Sequence, residues 1–130
     1  MKKIAFLLMT LVLCSSCIQQ KNEAVKVVTP EEMQSLLEME DVQLVDVRTP
    51  EEFSEGYIVG AQNIDYQSPT FEEDIRKLDK NKPVILYCKS GVRSSNCADI
   101  MIKAGFEKVY DLQGGISKWK HKGFTVKIKS

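Results

Sequence analysis

The tetrapeptide TPEE occurs twice, at residues 29–32 and 49–52, and TFEE follows at residues 70–73. Each reads as a helix start. The threonine oxygen can accept from a free backbone N–H, and the glutamate three residues on can reach back to the cap. Pro30 and Pro50 fall at the first helical position, where a missing N–H costs nothing. Among these starts lie short runs rich in valine, isoleucine and leucine: VKVV, VQLVDV, QNID, PVILYC and KVYDL. Such strands alternating with helices predict an α/β fold on a mainly parallel sheet.

Two more helices complete the pattern. One begins just after Arg93 and puts Cys97, Ala98, Met101 and Ile102 on one face, with Gly105 ending it before Phe106. That face is expected to lie on the sheet. The last helical stretch follows Gly114 and Gly115, is anchored by Ile116 and Trp119, and stops at Gly123. The chain has 130 residues, 43% hydrophobic and 28% charged, which suffices for one compact core and leaves no room for two. Lysine plus arginine balances aspartate plus glutamate at 18 each, and no basic run interleaved with aromatics occurs, so nucleic acid is excluded as a partner.

The N-terminus differs from the rest. Lys2 and Lys3 precede an apolar run that opens at Ile4 and resumes through Leu13, and small residues follow. This is a secretory signal pattern, too short for the roughly 20 apolar residues of a membrane-spanning helix. The end of the pattern, CSSC, resembles the lipobox of bacterial lipoproteins, in which a cysteine after small residues is acylated and becomes the mature N-terminus. The resemblance implies a signal peptide over residues 1–16, lipidation at Cys17, a polar tether over residues 17–24 and a folded domain over residues 25–130. Cys14 stands where the lipobox usually has leucine. The implied location is the bacterial cell envelope, with the chain lipid-anchored to a membrane and facing the periplasm or exterior. Loss of Lys2 and Lys3 with the signal leaves 16 basic against 18 acidic residues, a mature charge of about −2. Of the four cysteines only Cys88 and Cys97 then remain as free thiols, so no disulfide framework is implied.

Cys88 ends the apolar run PVILYC and opens CKSGVRSSNC. In open parallel sheets ligands bind beyond the carboxyl ends of the strands, and Cys88 falls at such an end. Residues 89–94 must join strand to helix within a few positions, so their N–H groups can curl around the sulfur while the helix N-terminus points at it. Such a nest lowers a thiol's pKa from its free value of about 8.5 and makes it a nucleophile near neutral pH. Lys89 and Arg93 are expected to push the same way, Gly91 to allow the tight turn, and Ser94 to cap the helix. The alternative for Cys88 is a small buried hydrophobe.

CKSGVRS resembles the active-site loop of the rhodanese family of sulfurtransferases: cysteine, two variable residues, glycine, one variable residue, arginine and serine. Upstream, LVDVRTPEEFSEGYIVGAQNID is similar to the family's first signature, and downstream GFEKVYDLQGGISKWKHKGF is similar to its closing one. Tyr57 stands where a histidine is usual, and Asp65 where a proline often follows Asn63-Ile64. The resemblance implies a rhodanese-like three-layer fold, a five-stranded, mainly parallel sheet with helices on both faces. It implies Cys88 as the catalytic residue, carrying a persulfide, and Lys89, Ser90, Gly91, Val92, Arg93 and Ser94 as the substrate-binding loop. The partners implied are a small anionic sulfur donor such as thiosulfate and a thiol or cyanide acceptor, with no cofactor and with the chain acting as a monomer. Two rivals share the resemblance. One is a phosphatase, since the dual-specificity phosphatases of this fold also place an arginine after the cysteine, on a loop one residue longer. The other is a redox or binding module that keeps the loop without turnover.

Other residues read as structural. Cys97 could resolve a disulfide with Cys88, but its helix face predicts burial. Asp46, Arg48 and Glu52 could line a pocket, although an Arg48–Glu52 ion pair tying strand to helix is the expectation. His121 lies among lysines and reads as a surface residue, and no metal-ligand spacing occurs.

Overall fold

The computed structural model describes residues 24–39 and 41–128. The expected signal segment, Cys17 and the expected tether up to residue 23 lie outside the described residues. Ala24, expected as the last tether position, already belongs to the sheet region, its carbonyl accepting from the Val109 N–H at 2.8 Å.

The chain runs β1 (Val25–Val28), α1 (Pro30–Met39), β2 (Gln43–Asp46), α2 (Pro50–Glu55), β3 (Tyr57–Ile58), β4 (Gln62–Asn63), α3 (Phe71–Ile75), β5 (Val84–Tyr87), α4 (Val92–Lys103), β6 (Val109–Leu112), α5 (Gly115–His121) and β7 (Val126–Lys127). Five strands form one sheet in the order β1-β6-β5-β2-β4, every pair parallel. This is the expected α/β sheet. β3 and β7 form a separate antiparallel ribbon that the sequence reading did not anticipate.

Side chains alternate across a strand, so a strand covered on both faces reads as continuous apolar sequence. β5 shows this directly, every residue being buried. Val84, Leu86 and Cys88 enter the core shared with Phe71 and Ile75 of α3 and with Cys97, Ala98 and Met101 of α4. Ile85 and Tyr87 enter the opposite core, with Met33 of α1 and Ile116 and Trp119 of α5. Helices therefore cover both faces, and full burial of a side chain such as Met33 or Leu86 stabilises the layers by about 1.5–3 kcal/mol.

The three threonine starts behave differently. Thr49 forms a full capping box, its Oγ1 accepting from the Glu52 N–H at 3.3 Å while Glu52 Oε1 accepts from the Thr49 N–H at 3.5 Å. Thr29 makes the forward half, accepting from the Glu32 N–H at 3.1 Å. Thr70 makes no side-chain cap; its hydroxyl donates to Asp74 instead, and its own N–H is taken by the Ser68 hydroxyl. TFEE lacks the proline that fixes the first turn, and Ser68 competes for the cap.

Candidate active site

β5 delivers the chain to Cys88, and α4 begins at Val92, one residue before Arg93 rather than after it. The reversal between them is made at Gly91, whose φ of +107° lies in the region a side chain disfavours. Gly91 is the N-terminal cap of α4, and no side chain caps this end. Ser94 lies inside the helix, which corrects its expected capping role.

The turn brings the Gly91 N–H to 3.0 Å from Cys88 Sγ. The Ser94 hydroxyl approaches the same sulfur at 3.4 Å. Behind the loop, the first turn of α5 fixes the peptide planes: the Ile116 N–H donates to the Cys88 carbonyl at 2.9 Å and the Ser117 N–H to the Lys89 carbonyl at 3.1 Å. With those carbonyls held backwards, the amides that follow are free to face the sulfur. Gly115 makes this approach possible, since a Cβ there would collide with the carbonyl oxygens of both Cys88 and Lys89.

Burial pushes the Cys88 thiol up, but the Ser94 hydroxyl and the amides of Ser94, Gly91 and Ser90 outweigh it, leaving the pKa below the ordinary thiol value. The expected direction holds, with a different cause. Hydrogen bonds to the sulfur are the main cause, and the Arg93 charge, already engaged by a carboxylate, acts on the sulfur only from a distance. Its Nη1 and Nη2 donate to Glu52 Oε1 and Oε2 at 2.7 and 2.9 Å. The Arg93 guanidinium holds Glu52 down at about 2.

This pairing also corrects the expected Arg48–Glu52 contact. Arg48 turns inward and donates from Nη2 to Asp46 Oδ2 at 2.7 Å and to the Gly56 carbonyl at 2.6 Å, with its Nε bound to the same carboxylate. Both Asp46 and Arg48 are buried, so neither lines an open pocket. They pack at the end of β2 beside Tyr87 of β5. Lys89 and Ser90 are exposed on the loop, and Val92 is 70% exposed beside them.

Cys97 is fully buried on the α4 face, as expected. Burial first, and then the neighbouring Cys88 and Asp111, push its pKa up to about 12, so it is a neutral packing thiol at physiological pH. His121 is exposed at the end of α5.

One residue of the site escaped the sequence reading. Asp111 lies in β6, 6% exposed, and its Oδ1 accepts from the Ser94 hydroxyl at 2.6 Å. Burial raises its pKa, against the Ser94 hydrogen bond, which lowers it. The available signal was a lone carboxylate inside KVYDL, a run otherwise read as a buried strand.

Residues 29–122 match the family described as Rhodanese-like domain. The chain is 40% identical over 87 residues to the uncharacterized protein YqhL of Bacillus subtilis (strain 168), a match covering 67% of this chain and 65% of that protein. It is 37% identical over 95 residues to a sulfurtransferase of Allochromatium vinosum, covering 72% of this chain and 85% of the relative. The crystal structure of a rhodanese-like domain protein from Staphylococcus aureus superposes with a TM-score of 0.70 at 33% identity, covering 81% of this chain and 99% of that one.

Proposed function

Because the chain belongs to the rhodanese-like domain family, we propose that it is a sulfurtransferase that moves a sulfane sulfur from an anionic donor such as thiosulfate to a thiol or cyanide acceptor through a persulfide on Cys88. The observation that carries this reading is the sulfur's setting, with the Gly91 N–H at 3.0 Å, the Ser94 hydroxyl at 3.4 Å and a lowered pKa. A thiolate in such a nest is a nucleophile before substrate arrives.

In the first half-reaction the Cys88 thiolate attacks the outer sulfur of thiosulfate. The sulfur–sulfur bond of the donor breaks, sulfite leaves with its electron pair, and Cys88 carries a terminal persulfide anion. The amides that steadied one sulfur anion are then placed to steady the next. In the second half-reaction an acceptor thiolate or cyanide attacks the terminal sulfur and Cys88 departs as thiolate. No external oxidant or reductant is needed. Lys89, exposed at the mouth, supplies the positive field for an anionic donor, while Arg93, held by Glu52, keeps the loop in place. The small ring closed by Gly91 suits a single sulfur atom better than a phosphoryl group, which favours this reading over the phosphatase.

The same proposal has the protein exported as a monomer, acylated at Cys17 and tethered in the cell envelope, on the strength of the charged, apolar and small-residue order of residues 1–17. Replacing Cys17 with alanine should then leave an unacylated protein that no longer sediments with membranes. The enzymatic reading is tested by thiocyanate formation from thiosulfate and cyanide, which should weaken in donor binding as salt screens charge over about 10 Å at 0.1 M. Turnover unaffected by a Cys88→Ser substitution would contradict it.

A further inference from the structure

Ser94 stands between two groups that each carry a titratable proton. Its oxygen is 3.4 Å from Cys88 Sγ on one side and 2.6 Å from Asp111 Oδ1 on the other. A serine hydroxyl has one hydrogen to give and lone pairs to accept with. The 2.6 Å separation is that of a hydroxyl donating to a carboxylate and is much shorter than the 3.3 Å to the Gly91 carbonyl oxygen; while Asp111 holds that hydrogen bond as a carboxylate, the Ser94 oxygen accepts from the Cys88 S–H, and it donates to the sulfur once Cys88 is a thiolate. All three groups are buried, so water does not compete for this chain.

We propose that Asp111 is a positioning residue that receives the Cys88 proton through Ser94, so that the thiolate forms by a transfer inside the protein. The S–H bond of Cys88 breaks as the Ser94 oxygen takes its proton. The original Ser94 O–H bond breaks as Asp111 Oδ1 takes that hydrogen. Ser94 ends neutral and now donates to the thiolate, Asp111 ends as a carboxylic acid donating to Ser94, and one negative charge has moved from oxygen to sulfur. Both hydrogen bonds reverse and neither is lost. The opposite displacements of the two ionisations, Cys88 downwards and Asp111 upwards, bring the two groups closer to sharing one proton.

The charged and titratable groups facing this chain are few. α4 presents Cys97, which stays neutral, and Arg93, which is paired with Glu52 of α2 and whose remaining field favours the Cys88 thiolate. Beyond them, Asp46 at the end of β2 is paired with Arg48, and Lys89 projects from the loop into solvent. The pair Cys88–Asp111 is thus the one expected to titrate as a unit, in two macroscopic steps that belong to neither residue alone.

The test needs no sulfur donor, so its failure would be distinct from failure of the sulfurtransferase reading. The rate at which iodoacetamide alkylates Cys88, followed by peptide mass across pH, should rise in two steps in the unmodified protein. Asp111→Asn keeps an acceptor for Ser94 but cannot take a proton, and Ser94→Ala cuts the chain; each should lose the lower step and show one. On the protein without substitution, the Asp111 carboxyl carbon signal should titrate in two steps, and in one after Cys88 is blocked as a small methyl disulfide. A single alkylation step that Asp111→Asn leaves unmoved, or an Asp111 carbon titration unchanged by blocking Cys88, would overturn the proposal.

Discussion

Arg93 of α4 and Glu52 of α2 are joined by two parallel hydrogen bonds, Nη1 to Oε1 at 2.7 Å and Nη2 to Oε2 at 2.9 Å, across 41 residues of sequence. The Glu52 carboxylate also closes the Thr49 capping box, so one side chain links the start of α2 to the loop that carries the thiol.

Replacing Glu52 with glutamine should remove the charge from this bidentate pair and lower stability by about 1–2 kcal/mol, since both partners are about a quarter exposed and solvent screens part of the gain. The pH dependence follows from the depressed pKa. Glu52 titrates at about 2 in the folded chain against 4.5 when free, so its contribution is full above 4.5 and is lost as pH falls towards 2. Urea unfolding of the two proteins across this range should show a stability difference that closes on acidification. A difference that persists at the acid end would contradict the assignment.

Gly115 and Gly123 both have positive φ, +58° and +85°, yet only Gly115 has backbone where a Cβ would go. Gly123→Ala should cost about 1–2 kcal/mol for the left-handed backbone alone. Gly115→Ala should cost more, about 2–4 kcal/mol, because the Cys88 and Lys89 carbonyls must also move. It should slow sulfur transfer as well, whereas Gly123→Ala leaves it near the starting rate. Thermal unfolding and turnover of the two variants check both halves.

Cys97 should be silent. Both thiols are buried, but the Cys97 pKa is pushed up to about 12 on the inner face of α4 while that of Cys88, at the loop, is lowered, so Cys97 should resist alkylation at neutral pH until the protein unfolds and Cys88 should react in the folded state. Cys97→Ala should lose about 1 kcal/mol from the small void and keep its turnover. Loss of turnover at unchanged stability would make Cys97 a resolving thiol.

What was legible in the sequence was local. The Thr49 box, the buried strand ending at Cys88 and the apolar face of α4 each depend on residues within one turn or one pleat of each other. What was not legible depends on partners brought together by the sheet. Arg48 sits four positions before Glu52, an attractive spacing, but the strand end turns Arg48 inward to Asp46 and leaves Glu52 facing α4. Ser94 looks like a cap because serine follows a glycine turn. The helix in fact starts two residues earlier, which carries its hydroxyl beneath the sulfur and onto Asp111. The β3–β7 ribbon pairs residues nearly 70 positions apart through two short segments with no strand pattern of their own.

If Cys88 carries the transferred sulfur, the intact mass of the protein after brief exposure to thiosulfate reads that sulfur out. The expected result is a gain of one sulfur atom, located to the Cys88 peptide, removed by cyanide or a small thiol, and absent in a Cys88→Ser variant that retains its fold. An unchanged mass together with phosphate release from an aryl phosphate would rule out that role for Cys88.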